Sequence, residues 1–166
     1  VRAWLEPTCV YQGLSPLEQE LVERLVHSSG DLELAPQVAW TPQACVLGAQ
    51  ALAEGAVILT DTAMAAAAVA PMARRTFANP VHTILEWAPA KVSLAKSAST
   101  RVLGSTRSAL GMAAALEALA PTPLVVLIGS APTALERLLE LVAAGTCPPP
   151  ALVIGMPVGF VGVEES

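Results

Sequence analysis

Leu124-Val125-Val126-Leu127-Ile128-Gly129-Ser130-Ala131-Pro132-Thr133-Ala134-Leu135 is the stretch that decides the fold. Its first five residues are all branched and apolar, with no alternation. Such a run is too short for a helix and suits a strand buried on both faces. Gly129-Ser130 turns directly into a helix expected from Ala131 to Ala144, with Gly145 as its stop.

The same alternation recurs on either side. Upstream, Ala56 to Thr60 reads as another buried strand, and Asp61 or Thr62 can cap an Ala-rich helix through about Ala70. Val81 to Leu85 reads as a strand punctuated by Pro80 and Pro89. A helix over Ser105 to Leu119 leads past Pro121 and Pro123 into the central strand. Downstream, Cys147 to Pro150 connects to a short buried strand, Ala151 to Ile154. Near the start, Ser15-Pro16-Leu17-Glu18 forms a capping box with proline at the first helical position. Leu17, Leu21, Val22, Leu25 and Val26 continue it as an apolar stripe, and Gly30 ends it. Thr41-Pro42 opens a further helix that Gly55 closes.

Strands alternating with helices indicate an α/β fold of three α/β/α layers around a mainly parallel sheet, flavodoxin- or Rossmann-like. No repeat or boundary divides the chain, so residues 1–166 are expected to form a single domain. Such sheets bind ligands beyond the carboxyl ends of their strands. The turns Thr60-Asp61, Gly129-Ser130 and Gly155-Met156-Pro157 lie there.

Composition narrows the function. Hydrophobic residues make up 54% of the chain, yet no apolar run approaches the ~18 residues of a membrane span. No membrane association is expected. The net charge of −5 and the lack of a basic block argue against nucleic-acid binding. Cys9, Cys45 and Cys147 are odd in number and far apart, which fits free thiols in a reducing cytoplasm. No secretory leader is visible at the start.

Of the two histidines, His27 falls near the end of the first long helix, on the side away from its apolar stripe. It is either a solvent-facing residue or a proton donor favoured by the carbonyls of the helix end. His82 has no titratable partner close in sequence, and no His/Cys/carboxylate spacing suggests a metal site. Ser105-Thr106-Arg107-Ser108 puts hydroxyls and a guanidinium at a helix start, either as a carboxylate or phosphate site or as a cap. Gly155-Met156-Pro157-Val158-Gly159-Phe160-Val161-Gly162 is either a tight loop or backbone that approaches a flat, bulky ligand.

In order and spacing, four blocks resemble the precorrin-8X methylmutase family: His27 to Asp31, Ser105 to Ser108, Gly129 to Leu135, and Gly155 to Gly162 with Glu165-Ser166. The resemblance runs from about Leu17 to the end. It implies a homodimeric isomerase of cobalamin synthesis that binds a corrinoid tetrapyrrole and needs no dissociable cofactor. The enzyme moves a methyl group between adjacent carbons of ring C, giving hydrogenobyrinate or cobyrinate. The resemblance makes His27 the proton donor. Ser105, Thr106, Arg107, Ser130, Thr133, Gly155, Met156, Pro157 and Gly159 become substrate-binding candidates. Members usually continue well beyond the position of Ser166, so a C-terminal family segment is expected to be missing. The alternatives are a corrinoid-binding relative with reduced turnover and an unrelated α/β enzyme for a phosphorylated ligand.

The substrate implied by the resemblance is a polyanion and the chain is acidic, so long-range attraction cannot be the main source of binding. N–H groups at helix starts are expected to hold the carboxylates, and apolar surface with the Gly155–Gly162 loop to hold the macrocycle.

Overall fold

The computed structural model describes residues 1–90 and 106–156. The chain divides into two compact units, Val1–Ala49 and Gln50–Ser166.

In the first unit, two short helices, α1 (Arg2–Leu5) and α2 (Cys9–Gln12), precede α3 (Pro16–Ser29) and a 3-10 segment, Leu32–Gln37. α3 begins where the sequence requires. The Ser15 hydroxyl accepts the Glu18 N–H, and the Glu18 carboxylate accepts the Ser15 N–H. It ends at Gly30, whose φ of 72° lies in the left-handed region that glycine enters without a Cβ clash. Val22 and Val26 reach a core with Leu5, Tyr11 and Ala35. The expected stripe is only half used, because Leu17 and Leu21 each remain 40% exposed. That small core covers one side of the helix and leaves the leucine side open within the unit. Glu23 ties the unit together, accepting from the Arg2 guanidinium at 2.8 Å and from the Tyr11 hydroxyl. These two donors hold its carboxyl below the ordinary range.

The division between units falls within α4 (Ala44–Ala53). This helix starts three residues after Thr41, not at the Thr41-Pro42 start read from sequence. Gln43, at φ 65°, is outside the right-handed helical region.

The second unit carries the sheet: β1 (Val57–Thr60), β2 (Val81–Thr83), β3 (Leu124–Ile128) and β4 (Leu152–Gly155). All pairings are parallel, in the order β2-β1-β3-β4. This is the flavodoxin-type order, which switches direction between β1 and β3. The register sets Thr60 against Thr83 on one side and Leu127 on the other. Helices α6 (Arg107–Leu119) and α7 (Pro132–Ala143) share one core with Val57, Leu59, Leu124, Val126 and Ile128. The intervening Val125 packs instead with Ala51 and Ala56. α5 (Ala63–Arg75) lies against β1 and β2.

Several boundaries differ from the sequence reading. α5 continues through Pro71 to Arg75, beyond the stop placed near Ala70. Both Pro71 and Ala67, whose carbonyl the proline leaves without its helical donor, are exposed, so water can serve that group. β2 stops at Thr83 rather than Leu85. There Thr83 and Glu86 form a second capping box that starts the 3-10 turn Ile84–Glu86. α6 begins at Arg107, capped by Thr106. β4 is an edge strand with Val153 and Ile154 each 37% exposed, not the buried strand expected, because among the described residues only β3 pairs with it.

Gly111 sets how closely α6 lies on the turn after β2. A Cβ there would stand 2.6 Å from the Ile84 carbonyl oxygen. No helix of the described residues is long and apolar enough to cross a membrane.

Candidate functional site

The carboxyl edge of the sheet gathers four element ends in one polar cluster. β1 delivers Asp61, which is 1% exposed. Its Oδ2 accepts three N–H bonds from the turn after β3: Gly129 at 3.1 Å, Ser130 at 2.6 Å and Ala131 at 2.9 Å. Three donors on one oxygen compensate a charge that would otherwise be costly to bury. Oδ1 of the same carboxylate is buried with no hydrogen-bond partner among the described residues.

That turn leads into α7, whose first turn carries Thr133. The Thr133 and Thr106 hydroxyls are 2.9 Å apart, joining the starts of α6 and α7. Thr106 Oγ1 also accepts the Ala109 N–H at 3.1 Å, so it caps α6 and contacts α7 together. Arg107 follows and is exposed, as is Ser130. Thr60 completes the edge, fully buried, with its hydroxyl directed at the carbonyls of Thr62 and His82.

The structure therefore brings Thr106, Thr133 and the Ser130 turn into one cluster, with Arg107 at its margin. Ser105, Pro157 and Gly159 lie outside the described residues. Gly155 ends β4, where an added Cβ would be 3.3 Å from Leu135 Cδ2. α7 thus packs closely on the strand at this glycine. Met156 follows, 53% exposed, its N–H bonded to the Ile128 carbonyl at 2.9 Å. Within the first unit, His27 is exposed in the last turn of α3, and its ring makes no hydrogen bond among the described residues.

The N–H groups of the turn Gly129–Ala131, which leads into α7, all go to Asp61. One expectation needs correction. His82 does have a titratable partner: its Nδ1 lies 2.8 Å from Glu86 Oε2, and Trp87 packs at 5.5 Å. The end of β2 folds into a 3-10 turn, which returns Glu86 towards the strand. Burial raises the Glu86 carboxyl, but the Thr83 N–H and the His82 ring outweigh it and leave it below the ordinary range.

A family model described as precorrin-8X methylmutase matches residues 3–166. The chain belongs to this family. It is 40% identical to a precorrin-8X methylmutase of Pseudomonas aeruginosa, over 89% of this chain and 66% of that protein. Against a cobalt-precorrin-8 methylmutase of Synechocystis it is 35% identical, over 92% of this chain and 71% of the relative. A solved precorrin-8X methylmutase from Thermus thermophilus superposes with a TM-score of 0.75 at 35% identity, covering 99% of this chain and 79% of the other. The chain spans about two thirds of the length of the curated relatives it matches.

In this methylmutase-family chain, sequence reasoning set Asp61 at the ligand edge, or as a cap for the following helix, without giving it a part in the site; the cap of α5 is Thr62. The signal for Asp61 was present, since an acidic residue directly after a buried strand stands at the ligand edge of a parallel sheet. What the sequence does not carry is the distance of its partners, which lie 68 to 70 residues away.

Proposed function

We propose that this chain is an isomerase that shifts a methyl group between adjacent carbons of ring C in precorrin-8X or cobalt-precorrin-8. The observation that carries this reading is the match of one methylmutase family model across residues 3–166. The polar cluster at the switch point of the sheet supports it, because that is where such folds take ligands. Residues 1–166 act as one catalytic domain, working as a cytoplasmic homodimer.

In this reading His27 lends a proton to the macrocycle. The protonated π-system is electron-poor, which lowers the barrier to migration. The bond from the methyl carbon to its first ring carbon breaks as the bond to the neighbour forms, on one face of the ring. The proton returns to His27 as the product's conjugation is set, so no net proton or electron is consumed. An exposed imidazole at a helix end, with no hydrogen bond among the described residues to hold its ring, suits this exchange.

Thr106, Thr133 and Ser130 offer hydroxyls to the substrate's polar substituents, with Ser105 beside them in sequence. Arg107 pairs with a peripheral carboxylate. Gly155, Met156, Pro157 and Gly159 contribute backbone and apolar surface to the macrocycle. The turn before α7 is already filled by Asp61, and the anionic periphery is met at Arg107 and the start of α6.

The test is incubation of the purified chain with precorrin-8X and with its cobalt form, following the absorption change to the corrin product. Conversion of either supports the reading. Tight binding without conversion would leave a corrinoid-binding protein instead, and neither binding nor conversion would remove corrinoids from consideration.

A further inference from the structure

Asp61 presents a chemical asymmetry that folding alone does not explain. Its carboxylate is 1% exposed, and one oxygen takes all three turn N–H groups while the other takes none among the described residues. A buried acceptor without a donor is costly, and in native proteins it usually marks a functional contact or a trapped water. The atom lies beyond the end of β1, beside β3, at the switch point of the sheet. A carboxylate oxygen can only accept, so whatever completes it must bring an N–H or an O–H.

We propose that Asp61 is a substrate-binding residue with two separate tasks: Oδ2 fixes the turn that carries Ser130 and leads to Thr133, and Oδ1 accepts a hydrogen bond from the bound corrinoid. This rests on the corrinoid reading above. The donor is either a macrocycle N–H, which the cobalt form lacks, or a protonated peripheral carboxyl, which both forms can carry. By filling the turn after β3 with its own charge, the protein also directs ligand anions away from that turn. The end of β1 beside β3 thus favours a donor over an anion.

Asp61→Asn separates the two tasks. The amide oxygen can still face the three N–H groups, while its NH2 replaces the acceptor Oδ1 with a donor. Affinities for hydrogenobyrinate and cobyrinate, with the KM and kcat of conversion, should be measured for wild type and variant. The variant is expected to fold cooperatively and to lose about tenfold or more in affinity, expressed in KM rather than kcat. A loss confined to the metal-free ligand identifies a ring N–H, and a loss for both identifies a peripheral carboxyl. Asp61→Ala provides a second arm. Added formate should refill the cavity with two carboxylate oxygens and restore affinity, while formamide should not. Unchanged affinity in a folded Asp61→Asn, or equal rescue by formate and formamide, would show that Oδ1 meets only water and overturn the proposal. Failure of the wild type to bind either corrin would instead sink the corrinoid reading, and this proposal with it.

Discussion

α6 and α7 both begin at the carboxyl edge of the sheet, yet their first turns are secured in different ways. α6 is capped from within, because the Thr106 hydroxyl accepts the N–H of Ala109, three residues on. α7 has Ala131 at the same position, with no side chain able to cap it. The turn before it is held by Asp61, 70 residues away from Ala131 in the chain. The first support is a neutral cap from within the helix, whereas the second is a buried carboxylate from another crossover. The two helices thus divide the edge into a start beside Arg107 and a start preceded by a turn whose N–H groups already face negative charge.

The largest effect should come from the distant cap. Asp61→Ala leaves three N–H groups without their charged acceptor and is expected to cost about 3 kcal/mol or more in urea unfolding. A cost below about 0.5 kcal/mol would mean that the turn after β3 holds itself, and the contrast between the two helix starts would fail. Next comes Gly111→Ala, which tests whether α6 is seated by steric fit rather than by charge. Forcing a Cβ towards the Ile84 carbonyl should cost about 1–3 kcal/mol. Stability equal to wild type would show that α6 can slide without penalty.

Thr106→Val should cost about 1 kcal/mol through loss of the cap, and Thr133→Val less. A double-mutant cycle should return a coupling of about 0.5 kcal/mol or more for their hydroxyl contact. Additive costs would mean that the two helix starts are energetically independent.

The smallest effect belongs to Glu86, the solvent-facing carboxylate that contrasts with buried Asp61. Its folded pKa lies below the ordinary value, so the unfolded chain binds its proton more readily in acid. Its stabilisation is therefore present above the ordinary carboxylate range and is lost as pH falls through the lower folded value. With Glu86 46% exposed, the contribution is at most about 0.5 kcal/mol. Unfolding of wild type and Glu86→Gln at neutral pH and near pH 3 should show a small gap that closes in acid. A gap that widens in acid would contradict the sign.

Local signals were legible in the sequence. The capping box at Ser15, the stop at Gly30 and the strand Leu124–Ile128 stand where spacing and residue type placed them. Thr106 and Thr133 were named from separate motifs and prove to be hydrogen-bonded to each other. Features that depend on chain segments meeting were not legible. The partners of Asp61 come from another crossover, and the pairing of His82 with Glu86 depends on a strand giving way to a 3-10 turn. The exposure of β4 depends on its place at the sheet edge, which no local run of apolar residues encodes. Pro71 misled for a related reason, since a proline in an exposed helix turn is tolerated where a buried one is not.

The most direct test of the proposed chemistry is a single turnover of precorrin-8X under excess protein, with wild type and His27→Ala compared side by side. Wild type should bind the substrate and convert it to the corrin product. The variant should bind with similar affinity and convert it at least about a hundredfold more slowly, as expected for loss of a general acid. Equal rates in the two proteins would contradict the assignment of His27 as the proton donor.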